Sequence, residues 1–296
     1  IADIAKKEKV NFIVWCPGMR KKTFSFSPND TYHRQCIYED NKNWENILMN
    51  EKKNNLISDY LESKTESKSI KKDNWDNEWV YTPTSSIDDI DKLFEDLNID
   101  KTKPLIGLPT NVIWDAQIDY PANFFNHILE WIFCTIDFFI KNQHLQLLIR
   151  VHPGEVWVTK PARQKVINEI FKKYGSLPSN IFFVKPEQNY NTYRILKKCD
   201  NILIYGSRLG IEMSALGKTI IVAGEGFIRN KKIAIDINSK KEFQDILSKL
   251  PIKEHMTEEK INRAKKYAYH FFFRRMIELK VLDEFPSEWP NFRVNE

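Results

Sequence analysis

Glycine is scarce in this 296-residue chain, nine in all, and neither Gly-x-x-x-x-Gly-Lys-Ser/Thr nor Gly-x-Gly-x-x-Gly occurs. The phosphate-cradling P-loop and the dinucleotide fingerprint are therefore excluded. The thirteen prolines follow no period, so collagen-like and low-complexity chains are excluded too. Four cysteines, Cys16, Cys36, Cys134 and Cys199, are scattered without a C-x-x-C; neither a zinc site nor a disulfide framework is expected, and reduced thiols of a cytosolic protein are. No uninterrupted apolar run is long enough to span a bilayer. The most apolar stretch, 122–140, carries Asn123, Asn126, His127, Glu130 and Asp137 and reads as a buried helix. The first residues lack a Met and the apolar core of a signal peptide, so the chain is not marked for secretion and is expected to begin inside a longer native sequence. Charge of one sign is also lacking. Forty-five Lys and Arg against 40 Asp and Glu leave +5, intermixed along the chain, which disfavours a nucleic-acid partner while keeping small anionic ligands and anionic lipid surfaces open.

What is present describes a globular protein: 42% hydrophobic, 13% aromatic and 29% charged residues suffice for one or two domains. The first hundred residues show a strand at 10–16 and helices at 44–61 and 86–97, the latter capped by Ser86 with Asp88 and Asp89 in its first turn. From residue 104 short apolar runs alternate with helical segments, the pattern of βαβ units and a mostly parallel, doubly wound sheet. Strands are predicted at 105–108, 145–151, 181–184, 201–205 and 219–223. Helices are predicted at 121–142, 161–174 with Pro161 at its start and Gly175 at its end, 190–198, 209–216, 239–250 and, last and longest, 257–282. In such a sheet ligands bind outside the carboxyl ends of the strands.

Two strand exits stand out. Arg150-Val-His152-Pro153-Gly154-Glu155 places a guanidinium and an imidazole two residues apart, so both project to one side and can donate to a phosphate oxygen; a satisfied structural histidine is the plainer reading. Tyr205-Gly206-Ser207-Arg208, followed by Glu212, couples a Gly-Ser turn to a helix start suited to phosphate or diphosphate, with Glu212 in reach of a ribose or sugar hydroxyl. There the plainer reading is a capped helix with Glu212 on its exposed face. A third exit offers Asn111 and Asp115, and Asp115 is also explained as a loop cap.

The run from Arg150 to Pro153 and the run from Tyr205 to Gly224, which includes Ser207, Glu212, Gly217 and Lys218, resemble bacterial capsular polysaccharide biosynthesis glycosyltransferases, the group that includes the Kdo transferases. The likeness covers about 104–237, with echoes in Thr31-Tyr32-His33 and Trp44-Glu45. It implies an α/β, GT-B-like fold of two Rossmann-like domains. Carried over, His152 would meet the donor phosphate, Ser207 would hold phosphate, Glu212 the ribose or donor sugar, and Lys185 and Pro186 would lie beside the base. Arg208 stands where a small residue is common. The likeness implies no metal and no cofactor, in line with the absence of Asp-x-Asp at a strand exit; Arg150, His152, Arg208 and helix starts would neutralise the phosphate instead.

The reading is thus a metal-independent transferase using a CMP- or UDP-linked sugar. Nucleotide-sugar contacts are expected from Asn111, Arg150, His152, Lys185, Pro186, Gly206, Ser207, Arg208 and Glu212. His152 would act in catalysis, with Asp115 the first choice and Glu155 the second for assisting an acceptor hydroxyl. The expected partners are a nucleotide sugar and a glycan or lipid-linked saccharide, at a cytoplasmic location with peripheral membrane association left open. Domains are expected at 1–103 (acceptor side), 104–256 (nucleotide sugar) and 257–296, a terminal helix packing back on the first. Its aromatic band, Tyr267 to Phe273 beside Arg274 and Arg275, suits such packing better than a membrane interface. The run 225–232 resembles a variable donor or acceptor loop but reads more simply as a solvated basic turn. A nucleotide-sugar epimerase, or a noncatalytic polysaccharide-binding or export-associated protein with Trp75, Trp79 and Trp157 stacking on sugars, are the alternatives.

Overall fold

The computed structural model describes residues 1–20, 22–65, 89–114, 124–156, 162–253, 256–279, 282–284 and 292–294. Asp115, Ser86, Pro161, Trp75, Trp79 and Trp157 lie outside them. The chain forms two compact units, Ile1–Thr82 with Lys265–Glu296, and Pro83–Ala264.

The first unit opens with helix α1 (Ala2–Lys7), the antiparallel pair β1 (Ile13–Pro17) and β2 (Thr23–Pro28), and helix α2 (Tyr32–Ile37). Thr31 caps α2 by accepting from the Arg34 amide. Helix α3 (Glu51–Thr65) starts later than expected because Asn50 accepts from the Lys53 amide and sets the first turn there. Trp44 precedes it, fully buried against Tyr267 with ring centroids 4.8 Å apart.

In the second unit α4 (Ile90–Asp96) is capped by Asp89, which accepts from Lys92 N at 2.7 Å. Then follow β3 (Leu105–Pro109), α5 (Ile128–Lys141), β4 (Gln146–Arg150), α6 (Val166–Tyr174), β5 (Ile181–Val184), α7 (Thr192–Lys197), β6 (Asn201–Ile204), α8 (Leu209–Ala215), β7 (Thr219–Val222), β8 (Ile235–Asp236), α9 (Lys240–Leu247) and α10 (Glu258–Tyr269), whose residues from Lys265 on belong to the first unit. The six strands are parallel in the order β5-β4-β3-β6-β7-β8. Counted within the sheet this is 3-2-1-4-5-6, the doubly wound dinucleotide-binding order. Strand β8 was not expected; it is only two residues long. Strands β3, β4, β6 and β7 are buried along their length, as a sheet covered on both faces requires. Phe125, Ile128, Trp131, Ile132 and Phe139 belong to the hydrophobic core with Ile106, Leu147, Ile149, Leu203 and Ile221 of the strands. Gly175 ends α6 with φ at 68°, a value that favours glycine.

The unit boundary falls before α4, not at 103–104. The reason is local: Gln146 of β4 accepts from the Asp100 amide and donates to the Asp100 carbonyl, both at 2.8 Å, which ties the α4–β3 connection to the sheet.

The expected terminal helix stops at Tyr269. A π-helical turn, His270–Arg274, follows, in which the Arg275 amide donates to His270 O five residues back. The chain then forms β9 (Ile277–Glu278), which pairs antiparallel with β2, and the hairpin β10 (Leu282–Glu284) and β11 (Phe292–Val294). Tyr267, Phe271 and Phe272 are buried, and Phe272 packs on Tyr60 at 4.7 Å. Both described sheets of this unit, β1-β2-β9 and β10-β11, are antiparallel. The parallel, Rossmann-like sheet is seen in Pro83–Ala264.

Candidate functional site

The strand order reverses between β3 and β6, and there the exits of four adjacent strands are tied together. At the β3 exit, the Thr110 hydroxyl accepts from the His152 amide at 3.0 Å, and the Asn111 side chain donates to Gly206 O at 2.6 Å. Gly206 must be glycine: a Cβ there would come within 2.1 Å of Glu225 O at the β7 exit. The Gly224 amide donates to Tyr205 O at 2.7 Å and closes the row. The Asn111 Oδ1 atom is buried and has no hydrogen-bond partner among the described residues, leaving an acceptor at the reversal point.

His152 heads the turn Pro153–Glu155, and its Nδ1 accepts from the Gly154 amide at 2.9 Å. That bond fixes the proton on Nε2. Burial, helped by the charges of Arg150 and Arg208, pushes the imidazole pKa down to about 4, so at neutral pH the ring is an uncharged Nε2–H donor. Across the reversal point the Ser207 hydroxyl accepts from the Leu209 amide at 3.3 Å and starts α8.

Three expected roles are corrected. Arg150 is buried and spends its guanidinium on the loop after β5: it donates to Lys185 O at 2.6 Å, Tyr190 O at 3.4 Å and the Thr192 hydroxyl at 3.2 Å. It braces that loop, and Lys185 and Pro186 with it, instead of presenting itself to a phosphate beside His152. Glu155 is buried and accepts from the Val166 amide at 3.1 Å, serving as the cap that α6 lacks at Lys165; burial pushes its carboxyl pKa up. Glu212 is neither exposed nor open to a ribose. It is 0% exposed, accepts from the Tyr193 hydroxyl at 2.5 Å and pairs with Arg208 at 3.3 Å. The carboxylate therefore orients Arg208.

The run 225–232 is likewise not a solvated turn. Arg229 is folded under it, donating to Gly224 O at 3.1 Å, Asn238 Oδ1 at 3.1 Å and Ile237 O at 2.5 Å. Lys231 is buried, and within the run Asn230 and Lys232 alone are exposed.

The structure thus brings Asn111, His152, Gly206, Ser207 and Arg208 to one edge, with Arg150 and Glu212 beneath as supports. Sequence reasoning missed Thr110, Tyr190, Thr192 and Tyr193. Thr110 adjoins Asn111 at the predicted exit and could have been found, whereas Tyr190 lies in the loop after β5 and Thr192 and Tyr193 in the first turn of α7, whose approach no local pattern encodes. Among the described residues no group of three His, Cys, Asp or Glu side chains is placed to hold a metal ion, and no helix is long and apolar enough to cross a membrane.

Comparison with known proteins places this geometry in context. The family model described as capsule polysaccharide biosynthesis protein matches residues 20–266. Two solved structures from Thermosulfurimonas dismutans are similar. The KpsC β-Kdo 2,4 transferase has 12% identity and a TM-score of 0.53, over 88% of this chain and 73% of that one. The KpsC β-Kdo 2,7 transferase has 15% identity and a TM-score of 0.44, over 89% and 73%. Comparison with curated sequences gives no match. The first likeness is one of fold, α/β and GT-B-like, and with a family match spanning both units, the chain belongs to the capsule polysaccharide biosynthesis family.

Proposed function

We propose that the protein transfers a sugar from a nucleotide-sugar donor to a glycan or glycolipid acceptor in capsule synthesis, without a metal ion. The observation that carries this reading is the row of four joined strand exits at the reversal point, with His152 held there as a neutral donor. Family membership favours transfer over the epimerase and export-associated alternatives. The donor's diphosphate or phosphate would lie along Gly206, Ser207 and Arg208. The Nε2–H of His152 would donate to the leaving phosphate oxygen as the glycosidic bond breaks, where a preorganised donor is worth most. Arg208, aimed by Glu212 and Tyr193, would balance the developing negative charge. Asn111 Oδ1 would accept from a donor hydroxyl. With Glu155 engaged as a helix cap, Asp115 is the carboxylate proposed to assist the acceptor hydroxyl.

The test is a thermal-shift titration of the full chain and of His152→Ala with CMP, UDP, GDP and their sugar conjugates, followed by product analysis with the nucleotide that binds. The reading requires concentration-dependent stabilisation by one nucleotide class, weakened in His152→Ala. Absence of stabilisation by all of them would remove the donor site.

A further inference from the structure

Among the described residues of Pro83–Ala264 two large apolar side chains are exposed, Phe171 and Trp114. Phe171 leans on Phe183, with ring centroids 5.7 Å apart. Trp114 is 60% exposed and makes no ring contact, cation–π contact or hydrogen bond with any described residue. A single exposed ring is ordinary on a protein surface; its place in the fold makes this one informative.

The four residues before Trp114 are each fixed. The Thr110 amide donates to Arg150 O at 3.0 Å, and its hydroxyl accepts from the His152 amide. Asn111 donates to Gly206 O. Val112 is buried, its Cγ1 3.5 Å from where a Cβ on Gly154 would stand, and Ile113 packs against the hydrophobic core. Three residues separate Asn111 from Trp114, so their Cα atoms lie within about 11 Å of each other. A wet indole thus stands on a rigid stalk at the β3 exit, near the buried Asn111 acceptor. Loops anchored on a rigid scaffold in this way carry binding residues, and an ordered backbone leaves little entropy to lose when a ligand arrives.

Strand order decides which part of a nucleotide sugar passes this ring. Strands β4, which leads to His152, and β6, which leads to Gly206, Ser207 and Arg208, flank β3 on either side. The bond broken between the leaving phosphate and the sugar therefore lies over the β3 exit. The base belongs with Lys185 and Pro186 after β5, two strands from β3, or about 10 Å in the hydrogen-bonding direction. What remains for Trp114 is the sugar, whose C–H faces stack on an aromatic ring while its hydroxyls turn to acceptors such as Asn111 Oδ1.

We infer that Trp114 is the platform for the transferred sugar and selects donors that present an apolar C–H face to it. The inference rests on the nucleotide-sugar reading. The experiment titrates the full chain as wild type, Trp114→Ala and Trp114→Phe. The probes are whichever of CMP, UDP and GDP stabilises the wild type, and the sugar conjugate of that nucleotide. Affinity is read by calorimetry, contact by indole emission, and melting temperatures without ligand check that the variants fold. Expected is conjugate binding about three- to tenfold weaker in Trp114→Ala, and within about twofold of wild type in Trp114→Phe, which keeps a ring. Binding of the bare nucleotide should change by less than about twofold in both variants. The emission that wild type has beyond Trp114→Phe should move to shorter wavelength with the conjugate and stay in place with the bare nucleotide. Equal losses for nucleotide and conjugate would make the ring a base platform and overturn the assignment. So would undiminished conjugate binding by Trp114→Ala, even with slower turnover, since the ring would then serve the acceptor. If neither nucleotide nor conjugate binds the wild type, the donor-site reading itself falls, and this inference with it.

Discussion

The buried arginines of the Pro83–Ala264 unit, Arg150 and Arg229, end on backbone carbonyls of neighbouring loops, whereas Arg34, Arg274 and Arg275 of the other unit line an open groove. The contrast follows from the two sheets. A parallel sheet covered on both faces sends its loops off the strand ends with many carbonyls to satisfy, and a five-donor guanidinium planted there satisfies several at once. The arginines of the first unit are engaged too, but mostly with side chains: Arg34 with Asp3, Arg275 with Glu39 and Gln35, and Arg274 with the Asn43 carbonyl. A cation near a strand exit is thus a guide to anion binding only where its donors are not already spent on the fold, which separates Arg208 from Arg150 in the proposed donor edge.

The largest effect should come from Arg150. In Arg150→Met three acceptors lose a charged donor inside the fold, and a loss of about 3 kcal/mol or more in urea unfolding is expected. A variant of wild-type stability that fails to bind nucleotide would reverse the comparison and make Arg150 a ligand. Next comes His152→Gln, which removes the positioned donor. A drop of about a hundredfold in kcat/KM is expected, read in a transferase assay once the donor is known. The pH dependence is specific. With its pKa at about 4 in the fold against about 6.5 unfolded, His152 takes up protons in the unfolded chain first. Its contribution is complete above about pH 6.5 and is lost as pH falls toward 4, so the substitution should flatten that part of the stability curve. A ring proton signal of His152 titrating near 6.5 would contradict the half-buried, neutral donor.

Gly206→Ala should rank third. The added methyl meets Glu225 O, a backbone atom unable to swing away, so the β6 and β7 exits must part. A cost of about 1–3 kcal/mol is expected, with nucleotide stabilisation reduced more than stability itself. Full nucleotide binding would show that the joined exits are not the ligand edge.

How much of this was legible beforehand divides along the same line. The second unit announced itself, because parallel strands buried on both faces read as continuous apolar runs, and residues 105–108 or 219–222 carry that signal without help from neighbours. The exits were also found, since Pro153-Gly154 and Gly206-Ser207 punctuate the sequence. The direction of the side chains there was not legible. Arg150 and His152 do sit two apart, but Arg150 is claimed by Lys185 and Tyr190, whose approach depends on a loop 35 residues onward. The first unit gave less, because Thr23, Phe24, Ser25 and Ser27 of β2 are all buried and the strand shows no polar–apolar alternation, and because β2 is completed by a strand some 250 residues later. The terminal helix was extended too far for a related reason: nothing in His-Phe-Phe-Phe-Arg-Arg distinguishes a π turn from another α turn.

The smallest effect tests the assignment of Glu155 as scaffold. Its carboxylate accepts from the Val166 amide, a task that the carbonyl oxygen of glutamine performs nearly as well. Glu155→Gln should therefore change turnover by less than about twofold, whereas loss of a general base would cost about a hundredfold or more. Stability supplies a second axis. Burial holds this carboxyl above its ordinary pKa, although the Val166 amide and Lys165 pull it down in part. A raised acid stabilises the fold at low pH and loses that contribution as pH climbs through its folded pKa. Glutamine does not titrate, so the variant should gain on wild type as pH rises from about 4.5 toward neutrality. A variant that loses turnover while following the wild-type stability curve would return Glu155 to the chemistry and leave Asp115 as the loop cap its sequence also allows.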